Sequence, residues 1–131
     1  MNHVSNIARA TDENSYFRRV IFTGAKSQLV VMSIPPGGDI GMEIHEHVEQ
    51  TLFIRSGRGE ASLDGDLMAL EAGSVVVVEP GTEHDIRNTG DVDLKIFTIY
   101  APPNHLDGVV HKTKADADAD EADEAFGHRA A

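Results

Sequence analysis

GGDIGMEIHEHVEQTLFIRSGRG (residues 37–59) and GSVVVVEPGTEHDIRNTG (residues 73–90) decide how this chain is read. The first segment holds two histidines one residue apart, His45 and His47, and the second brings His84 37 residues after His47. Side chains alternate faces along a strand, so a continuous strand through MEIHEHV would turn both histidines to the same side. A histidine opening a later strand could close on them. Imidazole is a common nitrogen ligand for borderline divalent metals, and three on rigid strands leave coordination positions open for water or substrate. The pattern predicts a metal site. Glu43, two residues before His45, shares that face if the strand reaches it, and it is then a candidate general base; a strand beginning later would leave it solvated.

The rest of the chain supplies an all-β frame. YFRRVIFT (16–23) and QLVVMSI (28–34) precede the first segment, and QTLFIRS, GEASLDG, DLMALEAG, VVVVE, HDIRNTG and LKIFTIY follow at short spacing. Breaks fall at Gly57, Gly59, Gly73 and Pro80-Gly81, and Asp64-Gly65 is a two-residue hairpin signal. Many short strands at such spacing predict a sandwich or barrel. The division expected is a flexible N-terminal arm over 1–14, a β domain over 15–114, and an acidic, solvated C-terminal tail over 115–131. The tail has fair helix propensity but no apolar stripe.

Composition narrows the function. The 131 residues suit one domain, and 22 Asp and Glu against 11 Lys and Arg argue against nucleic-acid binding. Cysteine is absent, which removes disulfides and thiolate metal ligands and fits a cytoplasmic setting. No run suggests a leader or a membrane span.

The spacing of the two segments also resembles that of the cupins, in particular the small single-domain kind. Their first motif carries HxH, a further Glu, Gln or His ligand, and a closing Gly; their second carries a PxG turn, then His and Asn. His45-x-His47 matches the first, and Gly81, His84 and Asn88 match the second, although Glu79 stands where Pro is usual. Counting back from Gly57 places the remaining ligand at Gln50, with Glu49 the neighbouring candidate; only one of the two can face the metal. The stretch KIFTIYAPPNHLDGVVHKTK (95–114) resembles one subgroup of small bacterial cupins.

The resemblance implies a double-stranded β-helix and one divalent ion per chain, Mn, Fe, Zn or Ni, held by His45, His47, Gln50 and His84. It implies a metal-dependent enzyme acting on a small carbonyl or sugar-acid-like molecule by isomerase- or lyase-type Lewis-acid chemistry. An Fe(II)-dependent dioxygenase and a non-enzymatic, metal-assisted binding or sensor module are the alternatives. A homodimer that protects exposed sheet edges is expected. Asn88 reads as a turn-holding amide, and His105 and His111 read as loop residues able to fold over the barrel mouth. Arg18, Arg19, Arg55 and Arg87 read mostly as solvated charges.

Overall fold

A computed structural model describes residues 1–129, and its ten strands divide between two antiparallel sheets. The larger sheet has the order β10 (Val110–His111), β1 (Arg18–Thr23), β2 (Gln28–Ile34), β9 (Leu94–Ala101), β4 (Glu49–Ser56) and β7 (Val75–Val78). The smaller has the order β3 (Glu43–Ile44), β8 (Glu83–Asn88), β5 (Gly59–Leu63) and β6 (Asp66–Leu70). The architecture is the expected double-stranded β-helix.

Period-two patterning explains why these segments face one another. In β4 the inward residues Gln50, Leu52 and Ile54 are buried while Glu49 and Arg55 are exposed. In β9 the inward set is Leu94, Ile96, Thr98 and Tyr100. Strand pairing aligns these sets into rows across the sheet. Ile34 with Leu94, then Met32 with Ile96 and Ile54, then Val30 with Thr98 and Leu52, make the apolar floor. The next row is Gln28, Tyr100 and Gln50. The same gradient runs through the smaller sheet, where Ala61 pairs with Ile86 and, further along, Leu63 with His84 and His84 with Glu43. One end of the barrel is therefore hydrophobic filling, and the other is a polar mouth.

Turn chemistry fixes the register. Asp64 and Gly65 both have positive φ, 50° and 89°, as a type I′ hairpin requires. Gly57 has φ 91°, and a Cβ there would lie 2.7 Å from the Asp93 carbonyl oxygen, so only glycine closes that hairpin. Asn88 holds the far end. Its amide donates to the carbonyls of Ile34 and Val92 and accepts from the Gly90 N–H, matching the turn-holding role expected of it.

The two flanks differ from the expected solvated arms. Residues Ile7–Glu13 form helix α1, capped by the Asn6 side chain and packed on the outside of the larger sheet, with Arg55 pairing with Asp12 at 3.0 Å. The acidic stretch forms α2 (Lys114–Ala119) and α3 (Glu121–Gly127), capped by Thr113 and Asp120. Asp123 is 5 % exposed. Propensity allowed a helix here, but not its docking, because the contact is a carboxylate and not a hydrophobic face. Among the described residues, no helix is long and apolar enough to cross a membrane.

Deleting residues 114–131 should lower the melting temperature by at least about 4 °C, since it strands the buried partners of Asp120 and Asp123. Calorimetry of the truncated chain checks this. An unchanged melting temperature would mean that the helices lie on the barrel without stabilising it.

Candidate metal centre and barrel mouth

Strand β3 stops at Ile44, and the chain bends through Glu46 and His47 before β4 begins. The Gly81 N–H donates to the His45 carbonyl at 2.8 Å and ties this bend to the Pro80-Gly81 turn. A bend breaks the alternation on which the HxH reading depends. His45 turns inward and is 7 % exposed, whereas His47 is exposed on the rim beside Val48, Pro102 and His128. The structure does not bring His47 to the other predicted ligands.

It brings Glu43 instead. The Glu43 carboxylate lies 3.1 Å from His45 Nε2, and Glu43 is the strand partner of His84. The rings of His45 and His84 lie 5.1 Å apart between centroids. Gln50 is buried and Glu49 exposed, so Gln50 is the one of the two that faces inward. Glu43 and His45 thus sit together beside His84 at the inner face, while His47 stands on the rim.

In their chemistry these four residues suit a divalent ion, but the ligand atoms of Glu43, His45 and His84 do not all lie within 4.8 Å of one another as they stand, so binding would have to draw them together. His45 Nδ1 is buried without a hydrogen-bond partner. His84 Nδ1 lies 2.9 Å from the Thr82 carbonyl, which requires the proton on that nitrogen and leaves Nε2 with a free lone pair. The Gln50 amide nitrogen donates to Thr98 Oγ1, which leaves its carbonyl oxygen to act as an acceptor. Two imidazoles, an amide oxygen and a carboxylate match the preferences of Mn, Fe, Zn or Ni.

Burial and charge set the protonation states. Desolvation pushes the Glu43 carboxyl upward, but the hydrogen bond and charge of His45 outweigh it, so its pKa falls below the ordinary value. Desolvation lowers the pKa of His84 and keeps the ring neutral, the form that binds metal. Burial pushes the Tyr100 hydroxyl up to about 12.

Above this set lies a network that sequence reading mostly missed. Arg18, expected at the surface, is 6 % exposed, and its Nη1 lies 3.2 Å from His111 Nδ1. His111 Nε2 meets Asp120 at 2.9 Å, and His105 Nδ1 meets Asp123 at 2.7 Å. The second Asp123 oxygen accepts the Leu106 N–H. Counting by twos from buried Val20 would have turned Arg18 inward, but nothing local announces Asp123.

Among the described residues, His111, Asp120 and Asp123 are the His or carboxylate groups whose ligand atoms all lie within 4.8 Å of one another. Each is already engaged with a partner, and the Arg18 guanidinium touches His111, so we read this group as the latch that holds α2 and α3 over the mouth.

Comparison with known proteins shows the family. Residues 30–100 fit the family model described as the cupin domain. The chain belongs to the cupin family. A Bacillus subtilis relative, the uncharacterized protein YrkC, is 46 % identical over 124 residues, covering 90 % of this chain and 67 % of that protein. The crystal structure of BH2720 from Bacillus halodurans superposes with a TM-score of 0.89 at 40 % identity, covering 91 % of this chain and 95 % of that one. The oxalate-binding protein of Thermotoga maritima is 32 % identical over 68 residues, covering 52 % of this cupin and 56 % of that protein.

Two expectations follow. Replacing His84 or Glu43 by Ala should abolish stoichiometric metal on elemental analysis while His47→Ala retains it. Loss of metal in the His47 variant alone would restore the HxH reading. The second concerns pH. The folded pKa of His105 is lowered by desolvation, with Asp123 opposing, so the unfolded chain binds its proton first as pH falls. Metal-free protein should therefore lose stability as pH drops below about 6.5, the ordinary histidine value. Denaturation curves at pH 7.5 and 5.5 check this, and equal stability at both would contradict a His105 buried neutral.

Proposed function

We propose that this cupin is a metal-dependent enzyme acting on a small carboxylate or sugar-acid-like carbonyl compound by Lewis-acid, isomerase- or lyase-type chemistry. The observation that carries the reading is the placement of Glu43, His45, Gln50 and His84 at the polar end of the barrel, with the Glu43 carboxylate 3.1 Å from His45 Nε2, a separation that two ligands of one ion can have. A divalent ion bound there would polarise a carbonyl oxygen of the substrate. Gln50 contributes no charge, so Glu43 is the one anionic donor and the centre keeps a net positive charge that suits an anionic ligand.

The chain's own residues supply the remaining functions. Arg18 places a buried guanidinium behind Glu43 and His45, where a substrate carboxylate can meet it. Tyr100, neutral because burial raises its pKa, lines the same end and sets its ring edge-on to His45. Helix α3 excludes bulk water from above. The likeness to an oxalate-binding protein supports a small carboxylate as ligand. Glu43, sequence-derived candidate for the base, is held by His45 in this reading and serves as a donor to the ion.

The closed mouth favours one second reading. The cavity lined by Arg18, Glu43, His45 and His105 has a volume of about 20 Å³, room for one water and nothing larger, so a ligand enters only with α3 moved, a step that suits a binding or sensor module.

Turnover of a keto-acid or uronate panel by protein loaded with Mn(II), Zn(II) or Ni(II) in the absence of oxygen is the expected result. Oxygen consumption restored by Fe(II) alone would make the protein a dioxygenase. Metal-dependent ligand binding without turnover under either regime would establish the binding module.

A further inference from the structure

Resting on the reading of the site as one for a small carbonyl acid, we propose that His105, oriented by Asp123, is the residue that exchanges a proton with the substrate. Asp123 reaches down from α3 and accepts from His105 Nδ1 at 2.7 Å, while its other oxygen accepts the Leu106 N–H at 2.7 Å. Both oxygens are thus committed, and the carboxylate has no freedom to turn away. His105 and Asp123 are 7 % and 5 % exposed. Tyr100 sets its ring edge-on against the imidazole at 4.9 Å and fixes the plane.

The consequence lies at the other nitrogen. With the proton on Nδ1, Nε2 carries a bare lone pair, and it is buried without any partner. Its neighbours in the cavity are Glu43, His45, Arg18 and Asn104. Arg18 Nε is also buried and unpartnered there. An unused acceptor at His105 and an unused cationic donor at Arg18 thus lie buried in the wall of one small cavity, a few side chains from the donors for the ion. A nucleophile-free site with an oriented base calls for proton abstraction. Burial lowers the His105 pKa against the pull of Asp123, which keeps Nε2 unprotonated at neutral pH.

The ligand class follows from the pair. Arg18 Nε faces a carboxylate, and His105 Nε2 faces an acidic C–H beside a carbonyl. The Nε2 lone pair takes that proton; the C–H electron pair becomes the C=C bond of the enolate as the carbonyl π pair moves onto oxygen. Return of the proton to carbon restores the keto acid and neutral His105. No oxidant or reductant is consumed. Because the cavity beneath α3, about 20 Å³, has room for one water, the ligand binds with the mouth wider than here, α3 and the His105 loop shifting together with the Asp123–His105 contact kept.

Pyruvate, a minimal carboxylate with such a C–H, is the probe. In D2O, metal-loaded protein should exchange the pyruvate methyl hydrogens faster than buffer with the same metal. His105→Gln should reduce the rate at least about 100-fold, with metal content unchanged. In Asp123→Asn the amide oxygen can still accept the Leu106 N–H while the amide nitrogen donates to Nδ1, which forces the His105 proton to Nε2. Nitrogen-detected NMR of metal-free protein should show the proton on Nδ1 in the wild type and on Nε2 in Asp123→Asn, and the variant's exchange should fall at least about tenfold. A wild type protonated on Nε2, or exchange unaffected by His105→Gln, overturns the proposal. Bound metal with no pyruvate exchange also overturns it and leaves the metal reading standing, whereas absence of metal uptake refutes that reading and this one together.

Discussion

The pairing of β3 with β8 sets Glu43 opposite His84, and the chemistry of this barrel depends on that short contact. It is only two residue pairs long, and its strand stops at Ile44. Past that point His45 leaves the ladder, its carbonyl caught by the Gly81 N–H, and its ring swings under the mouth toward His84. Extending the strand through His47 would turn His45 and His47 to the same face. The donors are therefore chosen by where a strand ends as much as by which residues it contains.

The apolar rows and the polar mouth are two faces of one constraint. Tight packing of Val30, Met32, Leu52 and Ile96 leaves little room for polar groups in the floor, where the Thr98 hydroxyl donates to the Thr51 carbonyl, so most buried polar side chains gather at the end where the sheets part. There they must satisfy one another. Most do: Gln28 reaches the backbone of Asn104 and His105, and Arg18 reaches His111. Of the buried atoms left over, Arg18 Nε and His105 Nε2 are those a bound ligand would complete.

Much of this was legible in the residues. Alternation in QTLFIRS and LKIFTIY, the Asp64-Gly65 turn, and the spacing of Gln50 and His84 to their glycines all carry into the structure, because each is a local rule acting within one strand or turn. His47 stands exposed on the rim because the strand ends before it, and a two-residue strand has too little pattern to announce its end. The acidic segment was harder still. ADADADEADEA has no apolar stripe, and its docking rests on Asp123 finding His105 across 18 residues of chain. No periodicity encodes a contact between one carboxylate and one imidazole. The same contact makes the segment part of the barrel mouth.

Anomalous scattering from crystals grown with Mn(II) or Zn(II) tests the central claim most directly. The account predicts one strong peak inside the barrel, within about 2.0–2.3 Å of nitrogen atoms of His45 and His84 and of oxygens of Glu43 and Gln50. A peak coordinated by His47, or one seated on His111, Asp120 and Asp123 with the barrel empty, would contradict it.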